Sequence, residues 1–446
     1  MTTASIDLLG LAPELVENII SFLRPHDIIQ FGRTCKLAAS YLRPNNVTLW
    51  QAVFLQVFDD PKTARDKVLP ESRISLQKRE AEWSWHHELR KRYTARNLIL
   101  KQDWDPLRHR YNDVVEAVLD IFDTAINLHI DDIEGSNDER TGNMAFLESL
   151  YPQLEGFIHD YHPDISSPWT KLESALADTS RPMTRSMVVH RNVSDAACRL
   201  HILYGPTRRE QESRRGLGTA RMLVYDWSER GALADYGPFK NDGSGTVNWH
   251  VLEGVSTLMH RNILAVDGKL PHGLRHSVPY LTPLDESIPE DWAGVHQAWT
   301  GTYAFMDYGD LFHYNAAHAL VSRPNLDDYE EACGDLMQMD LHLNPDLKDD
   351  PRLQTSLPVG NDLPMLYFCG MSSSRGRSRP RIACRGTASL VPGGREVRWR
   401  FLISYAGADQ WQLEGVQPGG LRSGAIFGVW SHCDHEENGP IGREKL

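Results

Sequence analysis

The chain has 446 residues, with 60 Asp plus Glu against 47 Lys plus Arg, a formal net charge of −13 and a hydrophobic fraction of 41%. That apolar content suffices for packed cores and excludes wholesale disorder, while the acidic balance argues against a nucleic-acid binder, which needs a basic surface. At roughly 100–200 residues per domain the length predicts two or three folded units.

No apolar run approaches the ~18 residues that span a bilayer, and the first basic residue, Arg24, leaves no positively charged segment ahead of an apolar stretch. Neither secretion nor a membrane partner is expected. The six cysteines lie far apart with no Cys-x-x-Cys pair, which reads as reduced thiols in the cytoplasm or nucleus.

Near the N-terminus, Leu8, Leu11, Leu15, Ile19, Ile20 and Leu23 recur at spacings of three and four, one stripe of a short helix that Pro13 and Glu14 suit as first-turn residues. Arg24-Pro25-His26 stops that helix, Asp27 is placed to cap a second carrying Ile28, Ile29 and Phe31, and a third runs through Lys36, Leu37 and Ala38 before Leu49-Trp50. So small a unit is mostly surface and cannot bury all of these side chains itself, so a partner is expected to cover part of the face.

The order Leu11-Ala12-Pro13-Glu14-Leu15, Ile19, Leu23, Pro25, Asp27-Ile28, Cys35-Lys36 and Leu49-Trp50 resembles the F-box, the adaptor-binding motif of SCF ubiquitin ligases. It departs from the family where Ala12 replaces a frequent proline and where Thr34-Cys35-Lys36-Leu37 lacks the common serine and tryptophan. The resemblance implies a surface of Leu11, Pro13, Leu15, Ile19, Leu23, Ile28, Phe31 and Cys35 docking on a Skp-type adaptor and, through it, a cullin. The alternative is an ordinary helical hairpin packed on its own downstream helices.

From Phe58 to Ser75 the chain reads as a linker or solvated loop. A helix follows over Trp83 to Leu100, with Trp83, Trp85, Leu89 and Tyr93 packed and Arg90, Lys91, Arg92 and Arg96 facing solvent. Another over Asp113 to Ile130 places Val115, Val118, Phe122, Ala125 and Ile126 on one face. The acidic cluster around Gly135 lacks the ligand spacing of a calcium loop, and the charged stretch between Gly205 and Gly216 reads as mobile. Gly216-Leu217-Gly218 and Asp242-Gly243-Ser244-Gly245-Thr246 lack the residues of phosphate cradles and read as turns. The text Tyr236-Gly237-Pro238-Phe239, Asp242-Gly243-Ser244-Gly245 and Val247-Asn248-Trp249 resembles a block of long fungal F-box proteins.

After Trp299 the period becomes alternating. In Glu396 to Tyr405 the residues Val397, Trp399, Phe401, Ile403 and Tyr405 point one way, and Arg398, Arg400, Leu402 and Ser404 the other. Similar runs at Thr302–Met306, Leu311–Asn315, Leu336–Leu343, Pro364–Gly370, Ile382–Leu390, Trp411–Val416 and Ala425–Trp430 bring the candidate strands to eight, a number that suits a small closed barrel. The text Leu413-Glu414-Gly415-Val416-Gln417, Gly419-Gly420 and Gly428-Val429-Trp430 is similar to the ending of F-box proteins with a β-barrel substrate-recognition region, including the cyclin-D-binding group. That similarity implies capture of a target protein, with Arg398, Trp399, Arg400, Trp411 and Trp430 as candidate anchors because Trp and Arg concentrate binding energy; core packing is the alternative for each. Ser372 to Arg379 forms a basic island read as a hairpin loop, and His432-Cys433-Asp434-His435 lacks the second ligand pair of a zinc site, so no metal and no cofactor are expected.

The expected fold class is α+β: an F-box over 1–58, a mostly helical middle over 76–290 and an antiparallel β-barrel-like region over 295–431. No nucleophile elbow, His-Glu-x-x-His pair, kinase signature or dinucleotide fingerprint is present. The expected function is a non-catalytic substrate receptor of an SCF-type ubiquitin ligase; a hydrolase or other enzyme with an appended F-box, or a scaffold without ubiquitin transfer, are the alternatives.

Overall fold

The computed structural model describes residues 8–61, 83–102, 110–125, 142–161, 194–211, 214–227, 231–268, 273–316, 326–334, 336–374 and 382–435. The chain divides into two compact units, Met1–Tyr151 and Pro152–Leu446. Among the described residues no helix is long and apolar enough to cross a membrane.

The first unit is helical. After a 3-10 turn at Leu8–Gly10 come α1 (Pro13–Ser21), α2 (Pro25–Gly32), α3 (Lys36–Tyr41) and α4 (Val47–Leu55). Pro13 and Pro25 open their helices, where a missing N–H costs nothing. Asp27 does not cap α2 but sits in its first turn, joined to Arg24 by an ion pair, the cap position belonging to Arg24 itself. Cys35 caps α3, its sulfur accepting from Ala38 N–H. The fourth helix escapes a periodicity reading because Val-Thr-Leu-Trp-Gln-Ala-Val-Phe-Leu is apolar nearly all round. Asn46 caps it and also donates to Glu17, tying α4 to α1. Then follow α5 (Trp85–Lys101), capped by Ser84, α6 (Tyr111–Asp123) and α7 (Gly142–Glu148). On α5 Lys91 pairs with Asp120, but Arg92, expected in solvent, is fully buried: its guanidinium lies between the rings of Phe54 and Phe58, 4.7 and 4.6 Å from their centroids. Val115, Val118 and Phe122 line the buried face of α6, while Ile126, most of the expected linker and the acidic cluster around Gly135 lie outside the described residues.

The second unit opens with α8 (Tyr151–Tyr161, whose first residue closes the first unit), α9 (Asp195–Tyr204), α10 (Arg208–Gln211), α11 (Arg214–Tyr225) and α12 (Trp249–Asp267). Two expectations fail here. Gly216-Leu217-Gly218 is no turn but part of α11, and the charged stretch before it contributes a buried side chain, Glu210, to the interior. Asp242–Thr246 is the turn expected, with Asp242 Oδ1 accepting from Ser244 N–H.

Seven strands form one antiparallel sheet, curled as half a barrel: β1 (Ala298–Gly301), β4 (Met337–Leu343), β5 (Leu366–Ser374), β6 (Ile382–Leu390), β7 (Val397–Tyr405), β8 (Ala408–Gln417) and β9 (Phe427–His432), paired in that order. From β4 onward it is a meander, and among the described residues β1 and β9 are its edges, so the barrel-like region is a half-barrel of seven strands rather than the closed barrel that eight would suit. Six predicted runs are strands of it. Thr302–Met306 instead supplies β2 (Ala304–Phe305), paired only with β3 (Ala332–Cys333), and Leu311–Asn315 lies in a helix, α13 (Tyr308–Ala316), started by Asp307, whose carboxylate accepts from Gly309 N–H. Helices α11 and α12 pack on each other and, through Val251, Val255 and Met259, form one core with Val416, Phe427 and Val429 of the sheet.

Candidate functional site

In the first unit α1 divides its apolar residues between two faces. Val16 and Ile20 are buried in the helix cluster, and Leu15 and Ile19, one position earlier, remain 53% and 43% exposed. Phe22 is 73% exposed, and Ile29 of α2 and Leu37 of α3 about half exposed. Single exposed apolar residues are ordinary, but large ones on three consecutive short helices are what a docking surface requires. An open groove of about 710 Å³ adjoins them, with Phe22, His26 and Arg96 among its lining and Val53, Tyr93 and Phe146 behind.

The eight residues expected to meet an adaptor are not equivalent. Pro13, Leu15, Ile19 and Cys35 are exposed, Leu11, Leu23 and Phe31 half-buried, and Ile28 wholly buried, where it holds α2 in place. Phe22 and Ile29 were missing from that set, because spacing alone does not say which apolar residues of a short helix face outward.

In the second unit one sheet face carries a charged network. Arg400 and Glu414 are cross-strand partners on β7 and β8, with Arg400 Nη1 donating to Glu414 Oε1 at 3.0 Å. Arg398 Nε donates to Glu414 Oε2 at 3.0 Å, and its Nη2 to Asp235 Oδ2 at 2.7 Å. Asp235 arrives on a strap whose next residues are the Tyr236–Phe239 text. Asp235 and Tyr236 both take left-handed backbone angles, Tyr236 stacks on His435 with ring centroids 3.9 Å apart, and the Arg398 guanidinium lies 5.0 Å from the Phe239 ring. A Cβ at Gly237 would come within 2.7 Å of Glu414 Cβ, so the strap lies against the sheet only because that residue is glycine.

Burial raises the Glu414 carboxyl against the pull of the two arginines. Asp235 moves the other way, since the Thr355 hydroxyl and Arg398 outweigh its burial. Burial, reinforced by Arg400, takes His435 down to about 4, so the ring stacked on Tyr236 is neutral. On the same face Arg385 reaches Asp350 and grips Asp409 in a two-bond fork at 2.6 and 2.9 Å, and this fork holds Asp409 near 2.

The five expected anchors therefore fall on two faces. Arg398 and Arg400 are buried and engaged with carboxylates, which suits them to fastening the strap rather than to holding an incoming chain. Trp399 is wholly buried on the other face, against Phe368 and Phe401 and edge-on to Trp299. Trp411 and Trp430, half-buried, meet each other edge to face with centroids 4.5 Å apart. His432, Cys433 and Asp434 bring ligand-capable atoms within 4.8 Å of one another, but Arg352 already sits on Cys433 and Asp434 at 3.3 and 3.4 Å, a cation where a metal would stand. The basic island beyond Ser374 lies outside the described residues.

A cleft that sequence reasoning missed lies beside β1, lined by Trp299 and Thr300, by Ile202 and Tyr204 of α9, by His260 of α12 and by Phe427. Its residues come from six separate stretches of the chain between Ile202 and Phe427, and no local motif announces it. Comparison with protein-family models, with curated proteins and with solved structures finds no match to this chain.

Proposed function

We propose that the chain is the substrate receptor of a cullin-type ubiquitin ligase, gripping a Skp-type adaptor with its first unit and a target protein with its second. Catalysis then comes from positioning: lysines of the bound target are held near the ubiquitin-charged enzyme, which raises their effective concentration without any acid, base or nucleophile from this chain. The observation that carries the reading is the row of exposed large apolar side chains, Leu15, Ile19, Phe22, Ile29 and Leu37, on the segment that resembles the F-box.

The exposure of Leu15 and Ile19 makes the test clean, because a charge placed there disturbs no core. Leu15→Asp and Ile19→Asp are expected to leave the melting temperature within about 2 °C of the parent, since surface substitutions shift stability by less than ~0.5 kcal/mol. Each is expected to abolish co-purification of adaptor and cullin from a eukaryotic extract. Undiminished adaptor recovery with both variants sinks the proposal.

A further inference from the structure

Among the described residues the sheet of the second unit ends at β1. Leu341 N–H donates to the Gln297 carbonyl at 3.2 Å, and the ladder continues through Trp299 opposite Met339 and Gly301 opposite Met337. Antiparallel alternation then turns the N–H and C=O groups of Ala298 and Thr300 away from the sheet, and both residues are exposed. The strand Ala-Trp-Thr-Gly carries none of the charges or prolines with which proteins block an edge against further pairing.

The adjoining cleft measures about 390 Å³. That is the lower part of the roughly 300–1,000 Å³ typical of ligand sites, room for one large side chain with its backbone outside. Trp299, Ile263, Ile426 and Phe427 make its walls apolar. Among the described lining residues Asp267 is the only Asp, Glu, Lys or Arg, and it ends α12, so the helix's C-terminal carbonyls add negative potential there.

We propose that the free edge of β1 and this cleft bind an extended segment of a target protein as an added strand, one large apolar side chain seated in the cleft and a basic one beside Asp267. The inference rests on the substrate-receptor reading and gives its second unit a site and a ligand class. Backbone hydrogen bonding supplies affinity and the cleft supplies selectivity, the division of labour of strand addition. A compact small ligand would leave the edge unused, and a second copy of β1 brings no basic side chain to Asp267.

The test selects binders from a displayed library of random peptides on the full-length chain. The affinity of an enriched peptide is then measured by fluorescence anisotropy against the parent, Thr300→Pro, Ala425→Trp and Asp267→Lys. Thr300→Pro removes one outward N–H and leaves the rungs at Trp299 and Gly301, the edge position where proline is tolerated. Enriched peptides are expected to pair a large apolar residue with Lys or Arg, and each variant to weaken binding at least tenfold. Equal binding to Thr300→Pro, an acidic consensus, no enrichment, or self-association of the chain that Thr300→Pro abolishes would each overturn the inference. Should Thr300→Pro melt early, the exposed Asp267→Lys decides, and unchanged affinity there overturns it as well. Adaptor recovery is scored in parallel: adaptor bound without any selected peptide removes this site and leaves the receptor reading, whereas peptide bound without adaptor does the reverse.

Discussion

His201 is held between two carboxylates, its Nδ1 2.7 Å from Glu253 Oε1 and its Nε2 2.8 Å from Glu210 Oε2, all three side chains buried. Two acceptors facing two ring nitrogens require the doubly protonated ring, because either neutral tautomer would turn a lone pair toward an anion. Burial alone would lower this histidine; Glu210 and Glu253 override it and bring it up to about 10 from the ordinary 6.5. A base raised on folding stabilises fully below its unfolded value, so this contribution is complete below pH 6.5 and is lost as pH rises through about 10. His435, lowered to about 4, works in the opposite sense: the folded chain loses stability as pH falls from 6.5 toward 4, because the unfolded chain takes up the proton first. Urea unfolding of parent and His201→Gln across the alkaline window checks the first of these. The variant is expected to be less stable by several kcal/mol, on the order of 3 to 5 as for other broken buried pairs, near pH 6.5, with the gap closing toward pH 10. A gap that stays constant over that range would show that the two glutamates do not hold the proton on His201.

Gly218 shows how packing between elements overrides the preference of a single helix. In an exposed helix interior alanine is worth about 1 kcal/mol over glycine. Within α11, however, a Cβ at Gly218 would stand 2.0 Å from Asp327 Oδ1 and 3.0 Å from its Cα. Gly218→Ala is therefore expected to lower the thermal midpoint, and a variant that melts higher than the parent would refute the close packing. The same contrast explains what the sequence made legible. Strands β4 to β9 were readable because alternation and turn residues are local, and Ile382–Leu390 emerged with its observed bounds. The roles of Arg398 and Arg400 were not readable, since their partner Asp235 lies more than 160 residues away in the chain and β7 turns out to be buried on both faces. Leu-Phe-His-Tyr-Asn has the composition of a strand, and only the carboxylate of Asp307 marks it as helix. On the candidate surface, the apolar stripe of α1 was legible as a pattern, but which of its members face outward depends on where α4 packs.

At the scale of the whole chain, each unit has its own core and its own buried charge, and the two charges predict opposite responses. In the second, Glu414 neutralises Arg398 and Arg400 together with Asp235, so Glu414→Gln leaves an uncompensated cation in the interior. Breaking such a pair costs about 3–5 kcal/mol. In the first, Arg92 is buried with Nε and Nη1 lacking any hydrogen-bond partner, and burial takes it down to about 10, so the fold bears a desolvation cost that the two flanking rings only partly offset. Arg92→Met roughly keeps the volume and removes a buried charge with unsatisfied donors, so it is expected to be neutral or stabilising. Two compact units predict two calorimetric transitions rather than one. Glu414→Gln is expected to lower one of them by many degrees and leave the other in place, while Arg92→Met lowers neither. A single transition that Glu414→Gln shifts as a whole would mean that the cores unfold together, and the proposed adaptor and target binding could then not be lost separately by destabilising one unit.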